Sequence, residues 1–153
     1  GKTVVISQLV ADLFEYDKLK NKRVLVLAHT NDLVDQLLRD FWTQLPKTIL
    51  TNRLGNGETP FQYDGVTFAT IQTASLIKDT LPYFDMIVID EAHRIGSESY
   101  LNTITALEPE MICGVTATPW RGDNFNIRRL KFKYNKNDKM IFLIIVELPN
   151  CHS

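Results

Sequence analysis

The apolar run Met86-Ile87-Val88-Ile89 ends in two adjacent carboxylates, Asp90 and Glu91, followed by Ala92 and His93. Acids at the carboxyl end of a buried strand can divide labour, one holding a hard cation and the other taking a proton from water. At the start of the chain, Gly1-Lys2-Thr3 matches the last positions of the pattern G-x-x-x-x-G-K-[ST]. In that pattern backbone N–H groups cradle phosphate oxygens, the lysine reaches the β and γ phosphates, and the hydroxyl meets magnesium. Each feature has a plain alternative, since Gly-Lys-Thr arises by chance in turns and two acids can open a surface turn. Their agreement in order and kind points instead to one phosphate site. Gly1, Lys2 and Thr3 then bind phosphate, Thr3 and Asp90 serve the metal, and Glu91 orients and deprotonates the attacking water.

These residues need elements to position them. Apolar residues at Val5, Leu9, Leu13 and Tyr16 are spaced for one face of a helix over 4–16, which sets Gly1-Lys2-Thr3 at a helix N-terminus. Arg23–Ala28 (RVLVLA) is a compact apolar run of strand length, as expected for a central strand covered on both faces. Thr30 can cap a helix whose apolar positions are Leu33, Val34, Leu37, Leu38 and Phe41, ended by Pro46. Residues 51–65, rich in Gly, Asn and Pro, read as a loop. Strands are expected at 66–70, Met86–Asp90 and 110–116, and helices at 73–80 and 101–107. Strands alternating with helical patterns place the chain in the α/β class, with a mostly parallel sheet flanked by helices.

The acid pair, the Gly-Lys-Thr start and the segment Gly114-Val115-Thr116-Ala117-Thr118-Pro119 occur together in an order that resembles the first RecA-like motor domain of superfamily-two DEAD/DEAH-type helicases. In that resemblance Asp90 to His93 (DEAH) is motif two, Thr116 to Pro119 (TATP) is motif three, and Ala28-His29-Thr30 to Gln36 looks like motif Ia. It covers 1–123 and leaves 124–153 as a divergent tail or linker. The fold it implies is a RecA-like P-loop NTPase domain lacking its first strand, with ATP and Mg2+ as ligands. Lys2 and Glu91 join Asp90 as catalytic residues, and His93, Thr116 and Thr118 couple the nucleotide site to the rest of the motor. His29, Thr30, Asn31, Thr70, Gln72 and Thr73 contact the nucleic-acid backbone, or Thr30 and Thr73 act as helix caps. TATP followed by Trp120-Arg121-Gly122-Asp123 resembles repair and restriction-type DNA motors, so DNA is favoured over RNA. A second RecA-like domain of the same parent chain is the implied partner and brings the arginine finger, so the isolated fragment is expected to be inactive. The competing settings are the motor subunit of a restriction nuclease and a non-catalytic nucleotide or nucleic-acid binding module.

Composition excludes several other classes. Over 153 residues, 44% are hydrophobic and 23% charged, as in ordinary globular domains. The apolar run 140–148 is shorter than the about 17–25 residues of a membrane-crossing helix. Cys113 and Cys151 have no zinc-like spacing with each other or with His29, His93 and His152, which fits a reducing cytoplasm. A net charge of −1 leaves nucleic-acid contact to local patches. One such patch is Arg128, Arg129, Lys131, Lys133, Lys136 and Lys139, which otherwise reads as a solvated linker or edge strand.

Overall fold

The computed structural model describes the backbone of residues 2–91, 94–116, 126–133 and 140–147, and the side chains of 3–91 and 94–115. In chain order the elements are α1 (Lys2–Glu15), β1 (Arg23–Ala28), α2 (Asn31–Gln44), β2 (Thr51–Arg53), β3 (Gly65–Thr70), α3 (Ile71–Ile77), β4 (Met86–Asp90), α4 (Glu98–Leu107), β5 (Met111–Thr116), β6 (Asn126–Lys133) and β7 (Met140–Glu147). They form one sheet in the order β2-β3-β1-β4-β5-β7-β6. All neighbours are parallel except β6 and β7. This is the α/β, mostly parallel architecture expected of a RecA-like domain.

The period-2 geometry of a strand explains why β1 reads as continuously apolar. Val24, Val26 and Ala28 face one layer, with Ile6 and Val10 of α1 and Val34, Leu37 and Phe41 of α2. Leu25 and Leu27 face the other, with Ile71 and Ala74 of α3 and Tyr100, Ile104 and Leu107 of α4. Phe41 meets Phe68 edge-to-face, their ring centroids 5.3 Å apart, pinning α2 over β3.

The chain leaves β1 through α2 toward β3, whereas it leaves β4 through α4 toward β5 on the opposite layer. The connections therefore diverge between two adjacent strands. In open α/β sheets a ligand crevice forms outside the carboxyl ends of strands at such a point.

Three differences from expectation have clear physical causes. Residues 51–65 contain β2, a short polar edge strand whose Thr-Asn-Arg sequence carries no apolar pattern. The shorter α3 begins at Ile71, directly after β3, because Thr70 is both the last strand residue and the helix cap. The stretch expected as a tail or linker contributes β6 and β7 to the same sheet. The β-branched and aromatic run MIFLIIVE suits a strand. Arg128, Arg129, Lys131 and Lys133 lie on β6, at the sheet edge, where charged residues discourage further pairing. Lys136 and Lys139 lie outside the described residues. Among the described residues, no helix is long and apolar enough to cross a membrane.

The amino edge of the sheet is closed by Asp85, which is 1% exposed. Its carboxylate accepts from the backbone N–H of Asn21 at 3.0 Å and of Arg23 at 3.1 Å, and from the Asn21 amide at 3.0 Å. Its backbone carbonyl accepts from Glu110 and Met111, so one residue ties the starts of β1, β4 and β5. Gly65 fastens β3 nearby: its φ is +92°, and a Cβ there would lie 2.1 Å from the Leu50 carbonyl oxygen.

Removing the carboxylate strands buried donors, so Asp85→Ala is expected to cost about 3 kcal/mol in a urea unfolding experiment, with Asp85→Asn costing less. An unchanged midpoint for the alanine variant contradicts this role.

Candidate functional site

The site grows out of strand register. Leu27 pairs with Ile89, and continuing by two residues brings His29 level with Glu91 at the carboxyl ends of β1 and β4. Ala28 pairs with Thr70, and Asp90 with Val115, so the ends of β3, β1, β4 and β5 form one row. That row lies at the diverging connections described above.

Asp90 is 4% exposed and shares a small crevice of about 10 Å³ with Thr3, Ile6, Val26, Leu37, Phe41, Val88 and Val115. The structure thus brings together Thr3, in the first turn of α1, and the acid that ends β4. A hydroxyl and a carboxylate are hard oxygen donors that suit magnesium. Among the described residues no group of three or more His, Cys, Asp or Glu could hold a metal by itself. Magnesium bound through one or two protein oxygens plus substrate phosphates has no need of such a cage. A roomier open cleft of about 580 Å³, lined by Gln8, Lys22, Pro46, Asp64 and others, lies at the opposite, amino edge. None of Thr3, Asp90 and Glu91 lines it.

Glu91 has left the strand, with a φ of +61°. That left-handed conformation is uncommon for a residue with a side chain and is found preferentially at functional sites. Its Oε2 accepts from Arg94 Nε at 2.7 Å and lies 3.6 Å from His29 Nδ1. The pair with Arg94 is half-exposed and contributes little stability, but it does fix the direction of the carboxylate.

Two buried polar atoms lack a hydrogen-bond partner among the described residues, His29 Nδ1 and the Tyr100 hydroxyl. Tyr100, on α4, is electrostatically coupled to Asp90, Glu91 and Arg94. Burial pushes its phenol up to about 12, with Arg94 opposing and the two carboxylates adding to the rise. Unpartnered polar atoms are rare in folded proteins; His29 Nδ1 lies beside Glu91, and the Tyr100 phenol feels the charge of both acids.

The proposed nucleic-acid residues are held by local capping. Thr30 caps α2, accepting from the Leu33 N–H at 3.2 Å. On α3 the cap is Thr70, and Thr73 donates its N–H to it, so the expected capping role of Thr73 passes to Thr70. Asn31 accepts from Arg53 Nη2 at 2.8 Å, while Arg53 Nε pairs with Asp35 at 3.0 Å. Gln72 donates to the His29 carbonyl at 3.2 Å. Gly55, with φ +93°, approaches so closely that a Cβ would meet Thr73 Oγ1 at 2.9 Å, which packs the loop after β2 onto α3.

Thr30, Asn31 and Gln72 are exposed, whereas Thr70 is buried and His29 half-buried. Gly1, His93 and Thr118 lie outside the described residues, as do the side chains of Lys2 and Thr116. Sequence reasoning did not find Arg94, Tyr100 or Arg53. The first was detectable from its place three residues after Glu91, but Arg53 sits in a stretch whose composition signals only a loop.

The sequence model of the family described as type III restriction enzyme, res subunit, matches residues 1–121. The matched span runs from α1 through β5 and includes both the Gly-Lys-Thr start and the acid pair. No curated protein matches the chain.

Tyr100 gives a test of this environment. Its proton is held more tightly in the folded chain than near 10 in the unfolded one, so its contribution to stability is complete below pH 10. It is lost as pH rises toward 12. Tyr100→Phe is expected to flatten this alkaline decline and, by removing an unpartnered hydroxyl, to leave stability at pH 7 unchanged or about 1 kcal/mol higher. A loss of stability at neutral pH shows instead that the hydroxyl is partnered.

Proposed function

Because the chain belongs to the type III restriction enzyme res-subunit family, and so is a helicase-like ATP-dependent motor domain, we propose that its carboxyl edge binds and hydrolyses magnesium–ATP to drive movement on DNA. One observation carries the reading: the start of α1 and the end of β4 meet, with Thr3 and Asp90 in one crevice and Glu91 beside them. Gly1, Lys2 and the first N–H groups of α1 receive the phosphates, whose negative charge the helix N-terminus favours. Thr3 and Asp90 hold magnesium, which when bound neutralises charge on the phosphoryl oxygens. Glu91 orients a water and accepts its proton.

Exposed Thr30, Asn31 and Gln72, with the amino ends of α2 and α3, form the nucleic-acid face. Hydroxyl, amide and N–H groups position a phosphate backbone without reading bases. Thr70 and Thr73 support this face through the cap of α3. His93, Thr116 and Thr118 link it to the nucleotide, and a second RecA-like domain completes the site with an arginine. The matched family's description favours the motor of a restriction nuclease over a binding module without catalysis.

Nucleotide affinity and single-turnover hydrolysis of full-length variants separate these roles. Glu91→Gln keeps the shape but takes no proton, so hydrolysis falls by about 10² to 10⁴ while magnesium–ATP affinity changes little. Asp90→Asn weakens the magnesium-dependent part of binding, and Lys2→Ala loses phosphate affinity. Hydrolysis by Glu91→Gln at the wild-type rate contradicts the assignment of the acid pair.

A further inference from the structure

His29 is the first residue past β1 and stands level with Glu91 across the neighbouring strand. Its Nδ1 is buried, has no hydrogen-bond partner among the described residues, and points at Glu91 Oε2 from 3.6 Å. That separation is a few tenths of an ångström beyond a hydrogen bond. The same oxygen already accepts from Arg94 Nε at 2.7 Å. A carboxylate oxygen carries two lone pairs, so it can serve Arg94 alone or Arg94 and His29 together.

The other side of His29 is tied to the nucleic-acid face. Its carbonyl accepts from Gln72 on α3, and its neighbour Thr30 caps α2. A displacement of either helix start therefore reaches the imidazole through short, stiff links. Glu91, in a left-handed backbone conformation just outside the strand, is the residue that such a displacement can re-aim.

We propose that His29 is a positioning residue that couples the nucleic-acid face to the catalytic carboxylate. In the unengaged state Arg94 holds Glu91. When a nucleic-acid backbone draws Thr30 at the start of α2 and the exposed Gln72 side chain, Nδ1 closes on Oε2 and turns the carboxylate toward the water. This role rests on the motor reading above and goes beyond it, since that reading gives His29 at most a direct backbone contact.

The test measures ATP turnover by the full-length protein with and without a single-stranded oligodeoxynucleotide, for wild type, His29→Ala, His29→Asn and Lys2→Ala. The expected result for His29→Ala is a drop on the order of 10-fold in oligonucleotide stimulation of kcat, typical of a coupling between sites. KM for ATP and oligonucleotide Kd should stay within about twofold, because a residue that acts through Glu91, and not by the direct backbone contact first expected of it, changes coupling and not affinity. His29→Asn, whose amide can donate from near the Nδ1 position, is expected to recover much of the stimulation. Unchanged stimulation in His29→Ala overturns the proposal alone, as does a loss confined to oligonucleotide affinity. Wild-type turnover that is unstimulated, or that survives Lys2→Ala, overturns the motor reading and this role with it.

Discussion

The pairing of β1 with β4 is the constraint on which the rest depends. Because Leu27 stands opposite Ile89, the residues that leave the two strands emerge side by side, His29 beside Glu91. A slip of one residue would turn Asp90 from the crevice it shares with Thr3 toward the opposite layer, since strand side chains alternate. Burial on both faces makes that slip costly. Val24, Val26 and Val88 pack under α1 and α2, while Leu25, Leu27, Ile87 and Ile89 pack under α3 and α4. The acid pair is thus placed by the hydrophobic core.

The two edges of the sheet use polar groups in opposite ways. At the amino edge the buried Asp85 carboxylate is saturated with donors from Asn21 and Arg23 and serves to fasten strands. At the carboxyl edge, His29 Nδ1 and the Tyr100 hydroxyl remain buried and unpartnered among the described residues, and Glu91 holds an uncommon backbone conformation. Local departures from satisfied, relaxed structure belong where a protein must rearrange or bind. All three lie on the carboxyl side of the sheet, within the span that the family model matches.

Much of this arrangement was legible in the sequence because doubly covered strands leave an unmistakable trace. RVLVLA and MIVID are unbroken apolar runs, and the acids that follow the second had only one kind of position to occupy. Thr30 was readable as a cap since its helix follows a strand after a short gap. Thr70 was not, because β3 passes straight into α3 and propensity gives no separate signal for the boundary. The strand Thr51–Arg53 escaped notice because a polar edge strand has no face to bury in pattern, although its Arg53 anchors Asn31 and Asp35. The pairing of β7 with β5 depends on a partner distant in sequence, which composition cannot specify, and β6 joins the sheet through β7, the strand that follows it. The same holds for the approach of His29 to Glu91, set by a register between strands about sixty residues apart.

A crystal structure of the full-length protein with magnesium and a non-hydrolysable ATP analogue would show directly whether Thr3, Asp90 and Glu91 form a nucleotide site. The β phosphate is expected at the amino end of α1, and magnesium at about 2.1 Å from the Thr3 hydroxyl, with Asp90 bound to it directly or through one water. Glu91 should lie within one water of the γ phosphate. Nucleotide seated away from the carboxyl edge, for example in the open cleft beside Lys22 and Asp64, would contradict a site built on Thr3 and the acid pair.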